Sequence, residues 1–149
     1  MNRVMVEKAP WLVSTKLNPP QIRGDIVQRD RLSSWLCETT ATTPITLITA
    51  PAGYGKTTLL TSLPPSLPSW PFAWLTLDEE ENDANNFLFA LIAALQTVAP
   101  NCEMAALDML PVVANPDNLE NGRSEIRRVT GVLLNEIQAA VPEPFFLVL

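Results

Sequence analysis

Ile45-Thr46-Leu47-Ile48-Thr49-Ala50-Pro51-Ala52-Gly53-Tyr54-Gly55-Lys56-Thr57-Thr58 is the stretch that decides how this chain is read. An apolar run bounded by Pro44 enters a glycine-containing turn, and Leu59, Leu60 and Leu63 then give the following helix an apolar side. That is the layout of strand, phosphate loop and helix. Backbone N–H groups converge on phosphate oxygens only through a tight turn, and Gly53 and Gly55 permit one. Lys56 follows where an ammonium reaches the β- and γ-phosphates, Thr57 where a hydroxyl reaches Mg²⁺, and Thr58 where the helix dipole meets the α-phosphate. The candidate nucleotide-binding residues are therefore Ala52, Gly53, Tyr54, Gly55, Lys56, Thr57 and Thr58, with Thr57 facing the metal. The expected ligands are ATP and Mg²⁺. The strict pattern begins with Gly; here that position is Ala50, which the relaxed motif admits.

Outward from the loop, fourteen prolines fall between the periodic segments rather than inside them. Residues 1–24 read as an extended N-terminal segment ending in Asn18-Pro19-Pro20. A short helix is expected from Gln28 to Glu38, burying Leu32, Trp35 and Leu36. The helix after the loop stops at Pro64-Pro65, and Pro64 to Pro71 forms a stiff connection to a second strand, Phe72 to Leu77. An acidic turn, Asp78 to Asp83, precedes an apolar helix from Asn85 to Val98 carrying Phe87, Leu88, Leu91, Ile92, Leu95 and Val98. A short helix near Glu103 to Met109 and a long one from Asn118 to Ala140 follow, the latter with Ile126, Val129, Leu133 and Ile137 on one face. Phe145 to Leu149 is a third, fully apolar strand candidate. Residues 25–149 thus read as an α/β, incomplete P-loop NTPase fold, a parallel sheet of about three strands flanked by helices. No internal repeat is apparent.

Composition bounds the function. The chain has 149 residues, 47% apolar and 17% charged, the balance of one globular core. No apolar run approaches the roughly 18 residues of a membrane span, and no secretory signal is visible, so a cytoplasmic protein with no membrane partner is expected. Cys37 and Cys102 are far apart and read as two reduced, partly buried thiols. With a net charge of −6 and only ten Lys and Arg, the segment has no electrostatic footprint for direct DNA binding.

Three stretches together resemble one family, the large ATP-binding LuxR-type transcription regulators of the maltose-regulon-activator kind. The first is the loop Thr49 to Thr58. The second is Val27-Gln28-Arg29-Asp30-Arg31-Leu32, similar to the family's V-x-R-x-R-L segment. The third is Trp74 to Asp83 with Phe87 and Leu91-Ile92-Ala93-Ala94-Leu95, similar to W-L-S-L-D-E-x-D-N-D-P-x-x-F…L-I-A-A-L, where Glu81 stands for Asp and Ala84 for Pro. The resemblance implies a signal-transducing ATPase of the STAND class, in which ATP and an inducer favour self-association and hydrolysis resets the state. It implies a helical module, a repeat sensor and a helix-turn-helix after the nucleotide domain. This chain then reads as an N-terminal piece ending before the expected metal-site Asp.

The resemblance also places Arg29 near the nucleotide base and ribose; as residue chemistry alone it is equally an exposed arginine at a helix start. The acidic run Asp78 to Asp83 reads as a solvated turn favouring the next helix N-terminus, or as a ligand-facing loop. Trp74 and Phe87 read as core residues rather than stacking platforms. No catalytic residue is identified. The leading expectation is nucleotide binding with little or no hydrolysis. Two alternatives stand beside it: a small stand-alone phosphoryl-transfer NTPase using an acid such as Asp78, and a non-functional or interaction-only remnant. An uncovered sheet edge would make the fold marginally stable or self-associating.

Overall fold

The computed structural model describes residues 11–21, 27–63, 70–102, 104–110 and 119–149. After a 3₁₀ turn at Ser14–Leu17 come α1 (Asp30–Thr42), α2 (Lys56–Ser62), β1 (Phe72–Trp74), a second 3₁₀ turn (Glu79–Asn82), α3 (Ala84–Leu95), α4 (Ala106–Met109), α5 (Leu119–Ala140) and β2 (Phe146–Val148). The expectations for Pro64-Pro65, for Pro111 and Pro116 and for most of the N-terminal segment lie outside the described residues. The chain divides into two compact units. One joins the segment up to Asn18 with everything from Pro71 onward, and the other spans Pro19–Trp70.

In the larger unit β1 and β2 pair in parallel, with Phe72 opposite Phe146, Ala73 opposite Leu147 and Trp74 opposite Val148. The ladder is extended by hydrogen bonds from Phe146 N to Pro71 O and from Leu75 N to Val148 O, both 2.9 Å. A parallel pair needs a long crossover, and α3 to α5 supply it. Asp83 caps α3 by accepting from the N–H groups of Asn85 and Asn86. From Leu88 on, α3 is buried nearly all round, which its alanines permit by letting neighbours approach closely. Val129, Leu133 and Ile137 are the buried stripe of α5, as their spacing predicts, with Ile126 packed against the same core. Glu136 on α5 accepts hydrogen bonds from Ala105 N and Ala106 N, satisfying donors at the start of α4.

The described residues Trp11 to Leu17 of the N-terminal segment contribute to this core. Leu12 and Leu17 are buried in it, Trp11 packs on Phe89, and Thr76 N donates to Lys16 O at 2.8 Å. Ser14–Leu17 therefore turns where an extended chain was expected.

Two expectations fail in the smaller unit. Ile45 to Thr49 forms no strand, and Ile45 and Leu47 are 82% and 83% exposed. An apolar run registers a tendency to be buried, but a strand exists only where another backbone completes its hydrogen bonds. Among the described residues the one sheet is the β1–β2 pair, so the sheet has two strands rather than about three. On α1 only Leu36 of the three expected core residues is buried; Trp35 is 56% exposed and Leu32 is exposed too. Among the described residues of this unit, Leu63 is the other fully enclosed apolar one.

Candidate functional site

The turn Ala50 to Gly55 has the backbone its sequence predicts. Gly53 and Gly55 sit at φ 81° and 78°, and among the described residues they alone adopt positive φ. A side chain at either would strain the backbone, because a Cβ in the left-handed region crowds the following carbonyl. Around Gly53 there is open space, with nothing within 4 Å of where a Cβ would stand. Gly55 is the residue from which α2 starts; its carbonyl accepts from Leu59 N at 2.9 Å, and no side chain caps the helix. The first-turn amides of α2 are thus left without a side-chain acceptor.

Lys56 folds back over the loop, its Nζ donating to Ala50 O at 2.7 Å and Pro51 O at 3.1 Å. Two carbonyls hold the ammonium without neutralising it, so its full charge remains available to an anion. Tyr54 is exposed, as are Ala52 and Thr57, while Thr58 is half-buried. Thr61 Oγ1 donates to the Thr57 and Thr58 carbonyls, and the Thr57 hydroxyl itself makes no hydrogen bond among the described residues. Arg29 belongs to the same unit. Its guanidinium lies against Gly55, with Nη2 3.7 Å and Cζ 4.0 Å from the position of a Cβ there. The structure thus gathers Arg29, Gly55, Lys56 and Thr58 around one turn. The donor set suits a phosphate, offering amides, an ammonium and a guanidinium, with one free hydroxyl for a hard cation.

The acidic turn is a different kind of site. Asp78, Glu80 and Glu81 bring carboxylate oxygens within 4.8 Å of one another, the arrangement of a possible cation cage. An ammonium occupies its centre. Lys16 Nζ stands 2.8 Å from Asp78 Oδ2, 3.3 Å from Glu80 Oε2, and 2.8 and 3.1 Å from the two oxygens of Glu81. The Trp11 ring lies 5.6 Å from the same nitrogen. Lys16 and Glu81 are each only 8% exposed. Burial is the strongest single influence on Lys16 and alone would lower its pKa. Hydrogen bonds to Asp78, Glu81 and Glu80 together outweigh it and hold the ammonium above its ordinary 10.5. In return the hydrogen bond from Lys16, aided by the N–H of Glu80, keeps the Asp78 carboxyl below its ordinary 3.8. Asp78 and Glu81 also form a capping box, in which Glu80 N donates to Asp78 Oδ1 and Asp78 N to Glu81 Oε2.

This constellation answers the two readings of the acidic run. It is a largely exposed turn whose Asp83 caps α3, as the first reading has it, and it also carries a buried Lys16–Glu81 ion pair flanked by Asp78 and Glu80. Asp78, the candidate acid of the stand-alone enzyme reading, is tied to Lys16 and made a weaker base. Sequence reasoning missed Lys16. The only signal was arithmetic: a run of acids next to a core strand needs a counter-charge, and nothing in the spacing names the one that provides it. Trp74 is buried and Phe87 packs against the core, as read from the sequence. Cys37 and Cys102 are partly buried thiols that form no disulfide, and Cys102 Sγ donates to Glu136 O at 3.9 Å. No helix among the described residues is long and apolar enough to cross a membrane.

Among curated proteins the chain is similar to HTH-type transcriptional regulators MalT. Identity is 41% over 85 residues with the MalT of Serratia proteamaculans strain 568, and 40% over 85 residues with those of Yersinia pestis strain Pestoides F and Yersinia pseudotuberculosis serotype O:1b strain IP 31758. No protein-family profile matches the chain, and no solved structure does. The aligned stretch is 57% of this chain and 9% of each of those relatives, so the chain is similar to MalT-type regulators over more than half of itself while spanning about a tenth of their length.

Proposed function

We propose that this chain is the nucleotide-gripping portion of a MalT-like transcriptional regulator of the STAND, LuxR-type class, and that it binds ATP with Mg²⁺ at the turn Ala50 to Thr58. The observation that carries the reading is the turn itself. Two glycines in the left-handed region, a half-buried lysine whose ammonium is held only by carbonyls and a helix start without a capping side chain meet at one place. Similarity to MalT regulators supports the regulator part of the reading.

In this reading the amides of Ala52 to Lys56 cradle the phosphates, Lys56 leaves its carbonyls for the β- and γ-phosphate oxygens, and Thr57 offers its hydroxyl to Mg²⁺. Bound Mg²⁺ would supply neutralisation of phosphate charge. The chain's own residues bind and orient; none of those described is placed to activate a water, so little or no hydrolysis is expected. The setting is cytoplasmic, direct DNA contact by this acidic segment is not part of the proposal, and self-association is.

Calorimetric titration with MgATP tests the reading. Saturable binding that Lys56→Ala removes is the expected result. Binding of equal strength in Lys56→Ala, or none in the parent chain, overturns it.

A further inference from the structure

Resting on the self-association in that reading and deepening it, we infer that the outer edge of β2 docks a second copy of this chain, paired antiparallel about Leu147. Among the described residues the sheet has two strands, so β2 has one strand neighbour, β1. The far edge of β1 is met by the N-terminal segment, where Thr76 N donates to Lys16 O. The far edge of β2 has no strand beside it among the described residues. Phe146 N donates to Pro71 O and Val148 O accepts from Leu75 N, so these two residues turn their backbone groups toward β1. Alternation along the strand then turns those of Phe145, Leu147 and Leu149 outward. The side chains agree. Leu147 lies opposite Ala73 on the same face of the sheet, yet Ala73 is fully buried while Leu147 is 41% and Leu149 59% exposed. The cover that encloses β1 stops short of β2. No charged residue stands between Phe145 and Leu149, so the devices that keep an edge strand from pairing are missing. A second copy fits this edge because the edge is self-complementary. A two-fold axis through Leu147 sets it against its own copy and Phe145 against Leu149, so outward N–H groups meet outward C=O groups and every facing side chain is apolar. Glu143, the nearest charge, falls at opposite ends of the pair, so two chains of net charge −6 meet where neither carries charge.

Sedimentation equilibrium of the whole chain without nucleotide tests the inference, at concentrations up to about 100 μM because an interface of one strand pair is small. A reversible monomer–dimer equilibrium is expected. Leu147→Lys sets two ammonium groups directly opposite each other and is expected to weaken it at least about tenfold. Leu147→Cys gives a readout of register that a folding defect does not imitate, since directly opposed residues stand about 5.5 Å apart at Cα, within disulfide reach. Mild oxidation should join position 147 to position 147, separated from Cys37 and Cys102 by peptide mapping. Leu134→Cys, at a 64% exposed position on α5, should not join to itself. A parent chain that stays monomeric overturns the inference and leaves MgATP binding to be judged by its own titration. A dimer without the 147–147 disulfide overturns it too. So does a dimer dissociated by Leu47→Lys, in the exposed run Ile45 to Thr49, and not by Leu147→Lys.

Discussion

Lys16 and Lys56 carry the same charge into opposite surroundings. Lys16 is buried and meets three carboxylates, one of them, on Glu81, with only 2% of its side chain exposed. Lys56 rests on two backbone carbonyls at the open mouth of a glycine turn. The first has its charge compensated within the protein and has no capacity left for a ligand. The second has hydrogen bonds but no counter-charge. Comparing the two teaches that proximity of polar partners does not by itself compensate a lysine's charge; facing carboxylates do.

The largest effect expected from this contrast is on stability. Lys16→Met leaves Glu81 buried without its cation and should cost about 3–5 kcal/mol in urea unfolding. Most of that belongs to Glu81, because the Asp78 and Glu80 side chains are half exposed and screened. Adding Glu81→Gln to Lys16→Met should recover part of the loss. A Lys16→Met variant as stable as the parent would erase the distinction between the two lysines. Next in size, Lys56→Ala should leave unfolding within about 0.5 kcal/mol of the parent while MgATP affinity falls at least about thirtyfold. A large loss of stability here would mean that Lys56 is holding the loop together rather than waiting for an anion.

What was legible in the sequence follows the range of the forces involved. The turn geometry at Gly53 and Gly55 was readable because positive φ is a property of single residues. The stripe Ile126, Val129, Leu133 and Ile137 was readable because helical periodicity is local. Pairing was not. Phe72 to Trp74 finds its partner at Phe146 to Val148, whereas Ile45 to Thr49, equally apolar, pairs with no strand among the described residues. Nor was the Lys16 cluster, whose cation and acids are separated by more than sixty positions in the chain. On α1, the exposure of Trp35 beside buried Leu36 shows that apolar character alone does not say which face a short helix turns inward.

A smaller and sharper probe of the loop compares its two glycines. Gly53→Ala and Gly55→Ala face the same backbone penalty, about 1–2 kcal/mol each for a left-handed alanine. Their surroundings differ, since a Cβ at Gly53 enters open space and one at Gly55 makes ordinary contact with Arg29. Thermal unfolding should therefore shift alike in the two variants, and MgATP affinity should fall in both, because each glycine shapes the turn that leads into Lys56. A variant that kept its affinity would show that the left-handed turn at that glycine is not needed to hold phosphate.

The finest distinction between the two lysine sites lies in their response to pH. Asp78 is held below its ordinary 3.8, so its contribution to stability is present above that value and disappears as pH falls through the lower, folded value. Lys16 is held above its ordinary 10.5, so its contribution is complete below that value and is lost only as pH rises through the higher, folded one. The ion cluster should therefore be insensitive to pH across the neutral range and weaken at both extremes. Asp78→Asn removes one titrating carboxylate while Glu80 and Glu81 still hold the ammonium. It should flatten the acid limb of the unfolding-temperature profile below Asp78's ordinary 3.8 relative to the parent. Lys56→Ala should leave that limb as it is, because no carboxylate among the described residues depends on Lys56. An acid limb unchanged by Asp78→Asn would show that the loss of stability at low pH arises elsewhere, and that Asp78 is a bystander in the cluster Glu81 anchors.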